Sequence, residues 1–401
     1  MIKNNREANY DIVIVGAGPS GLSSAIFAAR AGFKVLVVEK GKQAAPDPRG
    51  ETLHEKPICT ELLGEGFMKS LALNETAGRC YNSPNCEKNF YIGRSSPSIV
   101  FEWRKFIDRL VEVAEREGVE IRTNSEVLEA IIDDGICKGV TYRNGEGKIN
   151  KVFSNLVLGC DGAPSTLGRQ FGFGYENTVC PMVKCLLKHA NYKNKYFEYF
   201  FISHGSVPKM DGFPPGSAYI FPRDKDNAEV GLMIFTEAAK KIGIAMPDDE
   251  TIMRAWENLK AYYPKFSEIF DGSEIVYEHL TNIPSAGLLE PAIPVPGLIL
   301  MGDSVGFVEA SGSSGLIADM TIAKFWITLM KEKSISRSRE MWSEANIRSY
   351  LDLYHKNDMY KHIAKVYKYI RKSKIFLFGK KKNAKSINRR WWLVKLAYKL
   401  M

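Results

Sequence analysis

Residues 10–21 read Tyr-Asp-Ile-Val-Ile-Val-Gly-Ala-Gly-Pro-Ser-Gly, and this stretch decides the fold. A β-branched run that ends in glycine is typical of a buried parallel strand. The residues from Leu22 to Ala31 predict a helix, and those from Lys34 to Glu39 predict a second buried strand. Strand, glycine-rich turn, helix and strand in this order predict a βαβ unit of the Rossmann type.

The turn between the first strand and the helix has the spacing of a dinucleotide-binding motif. Gly16 allows a tight turn, Gly18 lets the backbone approach a pyrophosphate, and Gly21 lets the helix pack closely on the strand. Glu39 lies 18 residues after Gly21, where its carboxylate can accept both hydroxyls of a ribose. An acid there disfavours a 2′-phosphate, so the motif predicts the ADP half of FAD or NAD and not NADP.

Two later segments favour FAD over NAD. Asp161 and Gly162 follow a buried strand, and Gly302 and Asp303 follow another, with the run Gly312–Gly315 leading into a helix. A carboxylate at a strand end can hold a ribityl hydroxyl. The N-terminus of the next helix can face the electron-rich pyrimidine edge of a flavin.

These segments together resemble the flavoprotein superfamily of para-hydroxybenzoate hydroxylase, and within it the geranylgeranyl reductase family. Aromatic hydroxylases usually carry His where this chain has Gly306. The run from Gly216 to Pro222, followed by Gly231, is similar to the aromatic-x-Phe-Pro motif of the reductases, with Tyr219 in place of the usual Trp. Cys59-Thr-Glu61 resembles the Cys-x-Glu loop that approaches the flavin in those enzymes.

The resemblance implies FAD as the cofactor and assigns roles to particular residues. It implies three catalytic residues: Cys59, Tyr219 and Phe221. It implies the following cofactor-binding residues: Gly16, Gly18, Pro19, Ser20, Gly21, Glu39, Lys40, Arg104, Val127, Asp161, Gly162, Gly302, Asp303, Gly312, Ser313, Ser314, Gly315 and Leu316. The cysteines lack the spacing of zinc ligands, so we expect no metal.

The activity that the resemblance implies is the saturation of carbon–carbon double bonds in an isoprenoid lipid or quinone. Reduced flavin would deliver a hydride, and the alkene would lie in a long apolar tunnel. The electrons would come from an external donor, a ferredoxin or NAD(P)H. Three alternatives stay open: a flavin monooxygenase or halogenase, an electron-transfer flavoprotein that reduces membrane quinone, and a membrane-binding protein with a vestigial flavin site.

The expected architecture is α/β, with a Rossmann-type FAD-binding domain interlocked with a second α+β substrate domain built on an antiparallel sheet. We assign residues 1–175 and 291–330 to the FAD-binding domain, with an inserted loop over 42–100. Alternating aromatic residues such as those in 196–201 place the substrate domain at 176–290. Residues 331–401 are predicted to form a C-terminal helical segment.

The C-terminal segment carries most of the positive charge. Of the 55 Lys and Arg residues, 14 lie in 361–401, which has no acid, and the rest of the chain has 41 against 46 Asp and Glu. A mildly acidic body argues against nucleic-acid binding. Cations together with Trp391 and Trp392 predict a segment that lies on an anionic membrane, although a helical arm packed on the body is also possible.

The expected location is the cytoplasm, peripheral at the inner face of the cell membrane. The sequence opens with a polar stretch rather than a signal core, and no run approaches the roughly 20 apolar residues of a spanning helix. Seven scattered cysteines fit reduced thiols.

Overall fold

Two β-sheets organise the chain. The computed structural model describes residues 9–46, 49, 51–175, 178–190, 192, 194–202, 206, 215–241, 243, 248–310, 315–378 and 384–399. Within these residues the strands are β1 Tyr10–Val15, β2 Val35–Val38, β3 Glu51–Leu53, β4 Ala72–Asn82, β5 Asn89–Phe101, β6 Glu120–Arg122, β7 Ser125–Asp133, β8 Ile136–Asn144, β9 Ile149–Gly159, β10 Cys180–Lys188, β11 Phe197–Ile202, β12 Gly216–Pro222, β13 Ala228–Ile234, β14 Glu274–Ile283 and β15 Leu298–Leu300.

Helices connect and cover these strands. Within the same residues they are α1 Pro19–Arg30, α2 Pro57–Leu63, α3 Phe67–Ser70, α4 Trp103–Arg116, α5 Thr166–Gln170, α6 Thr236–Lys241, α7 Asp249–Tyr262, α8 Pro264–Phe270, α9 Leu316–Glu332, α10 Glu344–Lys356, α11 Asp358–Phe378, α12 Ala384–Arg389 and α13 Trp391–Lys399. A short 3₁₀ helix spans Gly302–Val305.

The first sheet has the strand order β6-β2-β1-β9-β8-β7, with β15 beside β9. β1 pairs in parallel with β2 and with β9, and β15 pairs in parallel with β9. The buried parallel strands explain the unbroken apolar runs of the sequence. Because parallel strands end at the same edge, the turns after β1, β9 and β15 meet there, although they are far apart in the chain.

The second sheet has the order β14-β10-β13-β12-β11-β4-β5-β3 and is antiparallel except where β11 pairs with β4. One face packs on α7 and α8 through a core that includes Phe200, Trp256 and Phe266. Tyr199 and Phe201 point to the opposite face, as the two-residue period of a strand requires. The expected combination of a Rossmann-type domain, a second sheet and C-terminal helices is confirmed.

The segment 42–100 differs from the loop that we predicted. It contributes β3, β4 and most of β5 to the second sheet, together with α2 and α3. The pairing of β4 with β5 shifts register twice, and Gly78 at the second shift has φ of +146°. A bulged strand does not show regular alternation of apolar and polar residues, which is why the sequence pattern concealed it.

The C-terminal helices are part of the body. The Tyr367 hydroxyl on α11 lies within hydrogen-bond distance of two carbonyl oxygens, that of Pro284 at 2.6 Å and that of Gly306 at 2.8 Å. Trp391 on α13 packs on Phe90 and Phe201 of the second sheet. None of the helices within the described ranges has both the length and the apolar character to cross a bilayer.

Candidate active site

The turn after β1 has the geometry that its three glycines predict. A Cβ atom on Gly16, whose φ is +97°, would lie 2.4 Å from the carbonyl oxygen of Cys160. A Cβ atom on Gly21 would lie 2.0 Å from the carbonyl oxygen of Gly16. A Cβ atom on Gly18 would meet no atom within 4 Å, and Gly18 has an ordinary extended backbone. Gly16 and Gly21 thus serve the packing of the protein, and Gly18 borders open space.

Glu39 organises the backbone beside this turn. Its Oε2 accepts a hydrogen bond from the Ala17 amide and its Oε1 accepts one from the Gly41 amide, both at 2.7 Å. Each carboxylate oxygen has a second lone pair, so the group can also accept a ribose hydroxyl. Lys40 is exposed next to it, and Val127 is buried in the core at β7.

The three predicted glycine-bearing segments converge at one edge of the first sheet. The Cys160 amide donates to the Val15 carbonyl at 2.8 Å, and the Met301 amide donates to the Gly159 carbonyl at 2.9 Å. A Cβ atom on Gly302 would lie 2.9 Å from the side chain of Ser20, at the start of α1. The ends of β1, β9 and β15 therefore form one crevice.

Asp161 is bound by its own loop. Its Oδ1 accepts from the Ser165 hydroxyl at 2.6 Å, and its Oδ2 accepts from the Thr166 amide at 2.7 Å. Burial raises the pKa of Asp161 although these hydrogen bonds oppose it. Gly162, with φ of +80°, turns the chain after it and faces open space. In this structure the Asp161 carboxylate orders the loop that leads into α5.

Asp303 lies beside a second acid, Asp319, at the N-terminus of α9. A Cβ atom on Gly315 would lie 3.5 Å from one oxygen of Asp319 and 3.9 Å from one oxygen of Asp303. Asp319 is 6% exposed, and within the described part of the chain its Oδ1 has no hydrogen-bond partner. Burial raises the pKa of both carboxyls, and the charge of Asp303 raises that of Asp319 further.

The substitution Asp319→Asn is expected to stabilise the protein at alkaline pH relative to acid pH. Because the pKa of Asp319 is raised, the folded protein keeps a proton on this carboxyl at a pH where the unfolded chain has lost it. The carboxyl therefore favours folding at low pH, and this contribution to stability is lost as pH rises. Asn cannot ionise. We expect the midpoint of thermal unfolding to rise by ~2 °C or more at about pH 8, with a smaller change at about pH 4.

Scanning calorimetry at the two pH values checks this expectation. The matched control is Asp352→Asn, which removes an exposed carboxylate from α10. An equal shift for Asp319→Asn at both pH values would show that the acid is not held neutral in the folded protein.

Arg49 is a site residue that the sequence analysis missed. Its guanidinium lies 3.7 Å from the centre of the Trp103 ring, and its Nη2 lies 3.4 Å from a carboxylate oxygen of Glu51. Its buried Nε has no hydrogen-bond partner among the described residues. Its charge lowers the pKa of Asp303, which places the guanidinium near the same crevice.

The other predicted cofactor residues divide into three groups. The Arg104 side chain donates to the Ala44 carbonyl at 2.8 Å and pairs with Asp108, so it anchors the loop that follows Glu39. Gly315 caps α9 and Leu316 is buried in its first turn. Gly312, Ser313 and Ser314 lie outside the described residues.

A cavity of about 330 Å³ separates the second sheet from the first turn of α9. Ile317 and Ala318 of α9 line one side, and Tyr219 and Phe221 of β12 line the other. Charged or titratable groups also line it: Glu51, His54, Lys56, Arg79, Lys184, Glu229, Glu309 and His362. The lining is thus mixed in character, unlike the long apolar tunnel that we expected, and its aromatic part is formed by β11 and β12.

Cys59 is placed differently from Tyr219 and Phe221. It is fully buried in α2, which packs on α4 and α9, and it belongs to the main core rather than to the residues that line the cavity. Burial raises the pKa of its thiol. The structure therefore brings two of the three predicted catalytic residues to the cavity.

The residues of the crevice fit FAD. Gly18 leaves room for a pyrophosphate at the N-terminus of α1, and Glu39 is placed for a ribose. The unpartnered Arg49 nitrogen and Asp319 oxygen are buried polar atoms of a kind that a bound group satisfies. The fold and this crevice define a flavoprotein.

Comparison with known proteins agrees with this class. The sequence matches the FAD binding domain family over residues 9–258, and the chain belongs to that family. It is an FAD-dependent oxidoreductase related to the geranylgeranyl reductases, and FAD is its cofactor.

Two relatives are digeranylgeranylglycerophospholipid reductases. That of Methanosarcina acetivorans is 27% identical over 330 residues, covering 79% of this chain and 73% of the relative. That of Picrophilus torridus is 24% identical over 344 residues, covering 81% and 79%.

Two solved structures share the fold. A geranylgeranyl bacteriochlorophyll reductase-like protein from Thermoplasma acidophilum superposes with a TM-score of 0.72 at 20% identity, covering 92% of this chain and 90% of that one. A flavin-dependent brominase superposes with a TM-score of 0.68 at 18% identity, covering 97% and 93%. At these identities the likeness concerns the fold alone.

Proposed function

We propose that this protein saturates carbon–carbon double bonds in the isoprenoid chain of a lipid or quinone. The observation that carries the proposal is the cavity between the first turn of α9 and the second sheet. On the side of the sheet, Phe197, Tyr199, Tyr219 and Phe221 line it and form what we call the aromatic wall. The names of the relatives, which are reductases of geranylgeranyl-bearing phospholipids, support the same substrate class.

The aromatic wall suits an alkene without a charged handle. The Phe197 ring stacks on Phe221 with centroids 4.6 Å apart and on Tyr199 with centroids 5.0 Å apart. Gly231 makes room for this wall, because a Cβ atom there would lie 2.5 Å from the Tyr219 ring. A flat apolar surface of this kind orients an isoprenoid unit and excludes water from it.

The cofactor would lie between the wall and the crevice. When bound and reduced, FAD supplies a hydride to one carbon of the alkene. Gly18, Pro19 and Ser20 would hold its pyrophosphate in the turn that Gly16 and Gly21 shape, and Glu39 would hold its adenosine ribose. Asp303 and the N-terminus of α9 would face its flavin end. Tyr219 and Phe221 would position the substrate.

Two partners complete the proposal. An external donor, a ferredoxin or NAD(P)H, would reduce the flavin. An anionic membrane would hold the lipid substrate against the basic C-terminal helices, at the inner face of the cell membrane. In the domain division that we propose, the FAD-binding parts are 1–175 and 291–330, with strands from 51–101 joining the substrate sheet of 176–290 and helices from 331–401 closing it.

Anaerobic reduction followed by lipid analysis tests the function. Protein with bound FAD is reduced with dithionite and mixed with vesicles that contain digeranylgeranylglyceryl phosphate. We expect mass spectrometry to show two added hydrogens for each saturated bond, together with the return of the oxidised flavin absorption. Protein that has not been reduced is the control. No saturated product from this lipid or from a polyprenyl quinone would contradict the proposal.

A further inference from the structure

Lys184 is a buried lysine whose ammonium group has no partner in the described parts of the chain. It is 9% exposed and lines the cavity. The described residues provide it with neither an ion pair nor a hydrogen bond. A buried lysine is normally paired, so an unpaired ammonium group at a cavity wall points to a role toward whatever fills the cavity.

The sheet register places Lys184 beside the aromatic wall. Lys184 on β10 is opposite Gly231 on β13, and Gly231 is opposite Tyr219 on β12. Residues opposite one another share a face of the sheet. Because Gly231 has no side chain, the Tyr219 ring lies over it, and Lys184 and Tyr219 line the cavity side by side.

Lys184 also interacts electrostatically with Asp303, in the turn that we expect to hold the flavin. Burial lowers the pKa of Lys184 below its ordinary value, as does the charge of Arg49, whereas Glu229, Glu51 and Asp303 oppose the shift. Asp303 is among these groups, which places the ammonium within electrostatic reach of the turn expected to hold the flavin. Other charged or titratable groups face the same cavity: His54, Lys56, Arg79, Glu309 and His362.

Tyr219, which we predicted as catalytic, is poorly suited to give up a proton. Its hydroxyl donates to Glu229 at 3.1 Å, and Tyr277 donates to the other oxygen of the same carboxylate at 2.8 Å. Burial and the charge of Glu229 raise the pKa of Tyr219 well above its ordinary value. Its proton is thus engaged and strongly held, whereas the Lys184 ammonium is an unengaged acid on the same face.

We propose that Lys184 is the catalytic acid of the reduction, an inference that rests on the proposed function. One alkene carbon receives the hydride, and the other receives a proton from Lys184. The N–H bond breaks and a C–H bond forms with the alkene π electrons, which leaves a neutral amine. The amine regains a proton from solvent between turnovers, so both atoms and electrons balance.

The test compares Lys184→Met with Lys184→Arg, which keeps the charge but is a far weaker proton donor. Both variants should bind FAD and be reduced by dithionite as the wild type is. With digeranylgeranylglyceryl phosphate in vesicles, both should reduce the lipid ~100-fold more slowly or worse, with little change in KM. The wild-type rate should fall as pH rises through the pKa of Lys184, and the rate of Lys184→Met should not.

Matched variants separate this role from others. Lys225→Met, at an exposed position between β12 and β13, should keep the wild-type rate, and Tyr219→Phe should lose less than Lys184→Met. Full activity in Lys184→Arg would assign Lys184 an electrostatic role and overturn the proposal. A raised KM with unchanged kcat in Lys184→Met would make it a binding group and also overturn it.

A measurement without turnover keeps the two proposals apart. Loss of the cation should make the midpoint potential of bound FAD more negative in Lys184→Met than in wild type at neutral pH, and the difference should vanish above the pKa of Lys184. Equal potentials would place Lys184 out of reach of the flavin and overturn its role, whether or not lipid is reduced. A wild-type protein that saturates no lipid would instead contradict the proposed function.

Discussion

The substitution Gly18→Val is expected to give folded protein that purifies without FAD. The backbone of Gly18 has φ of −78° and ψ of −178°, a conformation that valine adopts freely. A Cβ atom there meets no protein atom within 4 Å, so the fold should tolerate it. The same atom would occupy the space through which the pyrophosphate approaches the backbone. We expect FAD affinity to fall at least ~100-fold, or ~2.7 kcal/mol.

Flavin fluorescence titration of the apoprotein measures the loss, and thermal unfolding of the apoprotein tests the fold. Gly18→Val should unfold within ~0.5 kcal/mol of the wild type. Gly93→Val is the matched control, since its Cβ also meets open space but lies on β5. Gly21→Val should instead disrupt the contact between strand and helix. If Gly18→Val retained FAD, the pyrophosphate could not bind at this turn.

The cofactor crevice could be predicted because its signals are local. Each of the three turns follows a buried parallel strand, and in such a sheet the strand ends must meet at one edge. The chain separates Gly16 from Asp303 by most of its length, yet the pairing of β1 with β9 and of β9 with β15 brings both to the same crevice. Burial on both faces made those strands conspicuous as apolar runs.

The sequence could not reveal those site residues whose place in the site depends on contacts between distant segments. Arg49 lies in a stretch without periodicity, and its position over Trp103 follows from the packing of two elements. Asp319 is one turn into α9, and its signal was an acid within an otherwise small and apolar turn, Leu316-Ile-Ala-Asp-Met. Lys184 interrupts an apolar strand, and only the register with β13 and β12 shows that it faces the cavity.

Cys59 illustrates the limit of carrying a motif over by resemblance. The sequence predicted a loop thiol beside the flavin, and in the structure this thiol lies in a helix that packs into the main core. Its catalytic role stays a prediction that the cavity does not support. A motif gives the residue type but not the face of the helix that carries it.

Replacing Trp391 is expected to destabilise the protein strongly, whereas replacing its neighbour Trp392 should leave the stability almost unchanged. Trp391 is 3% exposed and packs on Phe90 and Phe201, whereas Trp392 is 63% exposed. Trp391→Ala should lower the free energy of unfolding by ~3–5 kcal/mol, because it leaves a cavity in an aromatic cluster. Trp392→Ala should change it by no more than ~0.5 kcal/mol.

Binding to vesicles, unlike the stability of the fold, should depend on Trp392. Arg389 and Arg390, just before α13, are exposed, and on α13 the exposed Trp392, Lys395 and Leu396 recur at the spacing of one helix face. Each cation near an anionic membrane contributes about 1 kcal/mol, and the indole anchors the helix at the interface. Trp392→Ala should therefore weaken binding to anionic vesicles in co-sedimentation, with neutral vesicles as the control. Unchanged binding would leave α13 as a helix packed on the body with a solvent-facing basic side, the alternative that its sequence also allows.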